Sequence, residues 1–133
     1  ANYLRWAEVG AVAEWDQQAI GQAVAGSDTS RLVVIDAVFG IGVSRDLPSD
    51  ITATWGRLTP FLRRGHAPSP QGRVVAVDLP SGICGDSGRD FGALPADLTV
   101  TFHELKHGHV TGRGPEVCGK VIVKDIGLRE WKD

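Results

Sequence analysis

The sequence predicts an α/β layered fold on a mostly parallel sheet. Arg31-Leu32-Val33-Val34-Ile35-Asp36 and Arg73-Val74-Val75-Ala76-Val77-Asp78 share one pattern: arginine, four apolar residues, aspartate. Such unbroken, mostly β-branched runs suit strands buried on both faces, as in parallel sheets. Each run breaks into a glycine-containing loop, Ala37–Gly42 after the first and Leu79–Gly82 after the second. Between the two runs, apolar residues recur at helical spacing. Strand–helix–strand order favours right-handed parallel crossovers and a layered sheet.

From the N-terminus, Ala1 to about Glu8 reads as helix, with Tyr3, Leu4, Trp6 and Ala7 as packing residues and Gly10 ending it. Ala11 to Trp15 suits a short strand. Asp16 is a suitable N-cap for a helix running to about Val24, with Ala19, Ile20, Ala23 and Val24 on one face. Gly26–Ser30 is a loop before the first strong strand, Leu32–Ile35. After the Gly40–Pro48 loop, Ser49 can cap a helix carrying Ile51, Trp55, Leu58 and Leu62, which Pro60 should kink or shorten. Gly65–Gly72 reads as a surface connection and Val74–Val77 as the second strong strand. Pro80–Pro95 is turn-rich. Leu98–Phe102 is a third strand. Gly108–Gly119, with four glycines, reads as loop. Lys120–Asp125 is a fourth strand, whose Val121 and Val123 alternate with lysines as on an edge.

The chain has 133 residues, of which 42% are apolar and 23% charged, which fits one soluble domain. The net charge of −2, without a basic block, argues against nucleic acid or an anionic membrane as partner. No apolar run is long enough for a membrane span, and no signal-peptide pattern occurs. Cys84 and Cys118 lie far apart, as expected of free thiols in a reducing compartment. The start at Ala1, inside a predicted helix, is what a segment of a longer protein would show.

Four motifs bear on chemistry. A carboxylate ending a buried strand needs a partner, and open parallel sheets bind ligands at the carboxyl ends of their strands. Asp36 and Asp78 are therefore expected side by side on a binding edge, as metal ligands, acid/base groups or helix caps. Gly40-Ile41-Gly42-Val43-Ser44-Arg45 shares the first two glycines of the dinucleotide fingerprint. Its backbone amides and Arg45 could meet a phosphate, although such glycines are also ordinary turn formers. Pro80-Ser81-Gly82 lacks the full nucleophile-elbow frame, so Ser81 is expected as an oxygen ligand or hydrogen-bond donor. His103-Glu104-Leu105-Lys106-His107 matches the zincin pattern in letters, but it follows a strand and runs into Gly108, so it is expected as a surface loop. His109 does not restore the zinc reading.

These segments resemble, in order, the NAD(P)H-hydrate epimerase family, also called the YjeF N-terminal domain. The matching pieces are Asp36–Arg45, Val77–Gly82, Ala96–Phe102, Leu105-Lys106 with Gly108, and Gly119–Gly127. The resemblance covers about Leu32 to Leu128. It departs at Asp46, Cys84 and His107, where the family usually has Pro, Asp and Pro. The family's Asn-Asn-Gly-Gly-Asp-Gly type loop on its first strand does not occur here. The chain thus resembles the C-terminal portion of the domain, with residues 1–128 as a partial domain and 129–133 as a tail or linker start.

The resemblance implies a three-layer αβα Rossmann-like fold, with its N-terminal strands missing from this chain. It also implies interconversion of the R and S forms of hydrated NADH and NADPH, with one K⁺ per site. Asp36 and Ser81 would be K⁺ ligands. Gly40, Ile41, Gly42, Val43, Ser44, Arg45 and Asp46 would form the substrate loop. Asp78 would be a further substrate contact and is the residue best suited to acid/base catalysis. Apart from the resemblance, Lys106 is a weaker candidate, for a phosphate or for fixing a carboxylate, and as a solvated loop lysine it needs no role. A cytoplasmic homo-oligomer, in some family members fused to an ADP- or ATP-dependent dehydratase domain, completes the expectation. The alternative is a non-catalytic Rossmann-like nucleotide-binding or interaction domain.

Overall fold

The computed structural model describes residues 2–62 and 72–128, with side chains from Leu4 onward. Four strands, β1 (Val33–Asp36), β2 (Arg73–Val77), β3 (Leu98–Phe102) and β4 (Lys120–Lys124), form one sheet in chain order. All three pairings are parallel. The α/β class and the parallel sheet match the sequence expectation, and each predicted strong strand lies within one residue of its observed bounds.

Side chains alternate across a strand, so the register sorts the sheet into two faces. Asp36, Ala76 and Thr99 are aligned across neighbouring strands, as are Val34 and Val74. On that face pack α2 (Gln17–Ala25) and α3 (Ser49–Leu58). Their core joins Val24, Ile51, Trp55 and Leu58 to Val74 and Ala76. A smaller cluster of Leu79, Ile83, Val117 and Cys118 continues the layer beyond β2. The opposite face carries Val33, Ile35, Val75, Val77 and Val100. There Val33 is 57% and Ile35 68% exposed. The expected burial of β1 on both faces is thus met on one face only, because no described helix lies over the other.

Local rules explain the start of α2 and both ends of α3. Asp16 caps α2 as expected, its carboxylate accepting from Gln18 N (2.8 Å) and Ala19 N (3.3 Å). On α3 the cap is Pro48, not Ser49, which is the first helical residue. Proline's fixed φ suits a helix start, where a missing N–H costs little. Pro60 ends α3 in a 3-10 turn, Thr59–Phe61, and Leu62 still reaches the core.

Three further expectations change. Ala11–Trp15 is irregular rather than a strand, and no strand among the described residues pairs with it. Helix α1 (Asn2–Ala7) forms, but Leu4 and Trp6 are exposed, with no described surface to pack on. Gly108–Gly119 is not a plain loop. It contains α4 (His107–Val110) and α5 (Gly114–Val117). Its glycines serve close packing: a Cβ on Gly108 would stand 2.2 Å from Cys84 O, and one on Gly114 1.7 Å from Gly108 O. The expected connection at 65–72 lies, but for Gly72, outside the described residues, as does the 129–133 tail.

Cys84 and Cys118 are both free thiols, and burial pushes the Cys118 thiol up to about 11. Among the described residues no helix is long and apolar enough to cross a membrane.

Candidate functional site

Asp36 ends β1 and is buried. Its partner comes from the loop after β2. Ser81 N donates to Asp36 Oδ2 (2.7 Å) and Ser81 Oγ donates to Asp36 Oδ1 (2.5 Å). Val38 N approaches Oδ1 at 3.4 Å. Ser81 Oγ accepts from Phe39 N at 2.8 Å and lies 3.3 Å from Phe39 O. The pair therefore staples the first two strand-end loops together. It also gathers carboxylate, hydroxyl and carbonyl oxygens, with no sulfur or imidazole among them. That donor set suits a hard cation.

Asp78 lies just past β2 and takes different partners. Its backbone turns through φ 69°, a conformation sparsely used outside glycine. Leu79 N donates to Val77 O (2.9 Å) across it, which makes a γ-turn of the rare positive-φ kind. Thr101 Oγ1 donates to Asp78 Oδ1 (2.7 Å), and Lys106 Nζ pairs with the same oxygen at 2.7 Å. The remaining Lys106 donors go to Thr101 Oγ1 and Phe102 O, both at 2.9 Å. An ammonium has three protons, so Lys106 is saturated within this cluster. Of the three readings open to it, phosphate partner, carboxylate clamp or solvated lysine without a role, the geometry matches the carboxylate clamp. Oδ2 of Asp78 accepts no hydrogen bond from the described residues.

Partial burial pushes the Asp78 carboxyl up. The hydrogen bonds from Lys106 and Thr101, with the Lys106 charge, outweigh it and hold the group below its usual 3.8.

Gly40, Gly42, Val43, Ser44, Arg45 and Asp46 line a cleft of about 580 Å³ that also reaches Phe39, Leu47 and Pro48. It thus runs from the end of β1 to the start of α3. Arg45 and Asp46 are exposed, and Arg45 makes no ion pair among the described residues. Ile41 and Gly42 line a second cleft, of about 420 Å³, with Gly85, Asp86, Leu105 and Lys106. Gly42 borders both clefts, and Lys106 links the second to Asp78.

The zincin letters dissolve in the fold. His103 sits at φ 67° in the turn after β3, and His107 opens α4, so the two never share a helix. No group of three or more metal-ligating His, Cys, Asp or Glu occurs among the described residues.

Thr101 and His109 are site residues that sequence reasoning missed. Thr99 and Thr101 stand at inward positions of β3, fully buried. Hydroxyls there were a readable sign of a buried polar partner. His109, buried on α4, had no such signal.

The model of the YjeF-related protein N-terminus matches residues 5–108. The chain belongs to that family. It is 43% identical over 100 residues to an NAD(P)H-hydrate epimerase of Roseobacter litoralis, covering 72% of this chain and 39% of the relative. A second NAD(P)H-hydrate epimerase, of Microbacterium testaceum, is 45% identical over 102 residues, 74% of this chain and 37% of the relative. The bifunctional NAD(P)H-hydrate repair enzyme Nnr of Archaeoglobus fulgidus is 42% identical over 98 residues, 74% of this chain and 19% of the relative. The chain spans about two fifths of the length of the epimerases it matches.

Proposed function

We propose that the full-length protein interconverts the R and S forms of hydrated NADH and NADPH, with Asp78 as the acid/base. The observation that carries this reading is the Asp78 carboxyl: Oδ1 is anchored by Lys106 and Thr101 while Oδ2 has no partner among the described residues. The names of the family relatives supply the substrate.

The chemistry follows from the substrate. The hydrated ring carbon bears a hydroxyl and is bonded to the ring nitrogen. Asp78 protonates the hydroxyl through Oδ2, the C–O bond breaks, and the nitrogen lone pair forms an iminium as water departs. Water then adds to the opposite face and returns its extra proton to Asp78. No atom or electron is gained overall. The carboxylate restored in the first step faces a cation, which it stabilises.

The glycine loop Gly40–Asp46 holds the dinucleotide. It leads into the N-terminus of α3, where the Asp50 carboxylate already accepts from Ile51 N (2.9 Å). The glycine loop's own backbone amides and Arg45 are the groups that suit phosphate. Asp46, in the same cleft, suits a hydroxyl donor rather than an anion.

Asp36 and Ser81 are the residues that would hold K⁺, with the Phe39 carbonyl beside them. When bound, the ion supplies positive charge between the first two strand ends. Asp36 and Ser81 meanwhile keep the Phe39 and Pro80–Gly82 loops in register.

The full-length protein is expected to be cytoplasmic and homo-oligomeric, and to act beside, or fused to, an ADP- or ATP-dependent dehydratase domain. The reducing cytoplasm fits two free thiols. The bifunctional repair enzymes among the relatives motivate the fusion.

The test is to incubate the full-length protein with one purified epimer and follow the other by chiral chromatography. Asp78→Asn should lower the rate by about 10²–10⁴-fold while the protein still folds and melts cooperatively, at a lower temperature because the Lys106 pair is lost. Near-normal turnover in that variant excludes Asp78 as the acid/base. Replacing K⁺ by a bulky organic cation should slow the reaction, and Asp36→Asn should abolish that sensitivity.

A further inference from the structure

The left-handed turn at Asp78 needs an external brace, because nothing in an aspartate side chain favours φ 69° once its carboxylate is engaged elsewhere. One side of the brace is the sheet: Asp78 N donates to Val100 O at 2.8 Å. The other is His109. Its Nε2 lies 2.7 Å from Asp78 O, and its Nδ1 lies 3.0 Å from Lys106 N. The ring is 3% exposed.

The two partners dictate one protonation pattern. A backbone N–H can only donate, so Nδ1 must offer its lone pair to Lys106 N. A carbonyl oxygen can only accept, so Nε2 must carry the proton given to Asp78 O. The ring is therefore neutral, in the Nε2–H form. It bridges the backbones of Asp78 and Lys106, whose side chains pair at 2.7 Å.

We propose that His109 is a positioning residue, a neutral Nε2–H imidazole that clamps the strained Asp78 turn and the Lys106 backbone into one geometry so that Asp78 Oδ2 is presented to the substrate. This rests on the reading of Asp78 as the acid/base. His109 touches no reacting atom; it acts through the two residues it holds.

The design separates the two bonds of the ring. In His109→Asn the amide oxygen can replace Nδ1 and still accept from Lys106 N, but nothing reaches Asp78 O. In His109→Gln the longer amide can place its N–H on Asp78 O. Both variants are made in the full-length protein, with melting curves as the folding control, and the wild-type histidine is labelled for long-range proton–nitrogen correlation. The expected results are an Nε2–H tautomer, a kcat lowered about 10–100-fold in His109→Asn, as misplacement of a reacting group produces, and a KM changed less than about threefold. His109→Gln should recover kcat to within about fivefold of wild type, because it restores the donor to Asp78 O. An Nδ1–H tautomer, an Asn variant with wild-type kcat, or a Gln variant as slow as the Asn variant overturns the proposal. If the wild-type protein does not epimerise hydrated dinucleotide, the functional reading and the positioning role fall together. The tautomer still decides, by itself, whether His109 braces the turn.

Discussion

Asp78 carries two conflicting requirements in one carboxyl. To release a hydroxyl it must hold a proton, yet Lys106 and Thr101 favour its ionised form and hold it below 3.8. The same pairing readies the carboxylate that a cationic intermediate needs. Two pH effects follow, with signs that can be worked out. A depressed carboxylate contributes stability that is present above its unfolded value and lost as pH falls through its folded value. The Lys106–Asp78 pair therefore holds at neutral pH and fails only in acid below 3.8. Catalysis by the protonated carboxyl has the opposite slope: kcat should fall as pH rises, about tenfold per unit once the group is mostly ionised. Lys106→Met removes the cation and one hydrogen bond to the carboxylate, so the carboxyl rises and the descending limb of kcat should move to higher pH. A pH profile of kcat for both proteins checks this. A limb that stays in place or moves to lower pH removes Lys106 as the group that sets the protonation of Asp78.

At the scale of elements, the segment 107–119 shows what glycine spacing alone conceals. Four glycines between a strand and an edge strand read naturally as loop, but α4 and α5 pack there against the 84–88 turn, with Gly108 N donating to Gly85 O at 2.6 Å. Gly108→Ala would drive a Cβ to 2.2 Å from the Cys84 carbonyl, a rigid backbone atom. Overpacking of this kind costs about 1–3 kcal/mol or more. The control is Gly56→Ala on α3, where the new methyl meets nothing within 4 Å and helix propensity should add about 0.5–1 kcal/mol. Urea midpoints for the two variants should therefore move in opposite directions; a shift of the same sign in both would contradict the packing account. The contrast also marks what sequence could tell. The strong strands, the Asp16 cap and the break at Pro60 were legible because each follows from local periodicity or a backbone constraint. The pairing of Asp36 with Ser81 was legible only as two motifs at strand ends, since it joins residues that meet through the sheet. Of the Thr101, Lys106 and His109 cluster, Lys106 was legible as a candidate and the inward hydroxyl of Thr101 as a sign of a polar partner, but not that they meet at Asp78. The cluster's logic lies in which backbone groups approach one another in space, and no spacing in the chain encodes that.

The whole molecule is one-sided, and its strand order explains why. In a parallel sheet whose order follows the chain, every right-handed crossover falls on the same face. The helical connections between β1 and β4 accordingly cover the face of Val34, Val74 and Ala76 and leave Val33 and Ile35 open. A doubly wound sheet covers its second face only where the order reverses, and ligands bind at that switch point. The free edge of β1 is the place where such a reversal would fall. Asp36 and the loop that includes Gly40 and Gly42 stand at the carboxyl end of this same strand. The open face and the site are thus consequences of one topology, and the span of about two fifths of the epimerases' length agrees with a sheet that continues past β1. The 133-residue chain by itself should then present apolar surface of the kind that binds hydrophobic dyes and self-associates. Val33→Thr with Ile35→Thr keeps β-branched side chains on β1, adds two hydroxyls on the open face and leaves Val34 and Asp36 inside. In the isolated chain this double variant should bind less anilinonaphthalene sulfonate and sediment closer to monomer than the unsubstituted chain. In the full-length protein the same two substitutions should destabilise, because there the face would be covered and the hydroxyls buried without partners. Opposite effects in the two lengths would identify β1 as the interior strand of a larger sheet. Equal dye binding before and after substitution would mean that this face does not dominate the exposed surface.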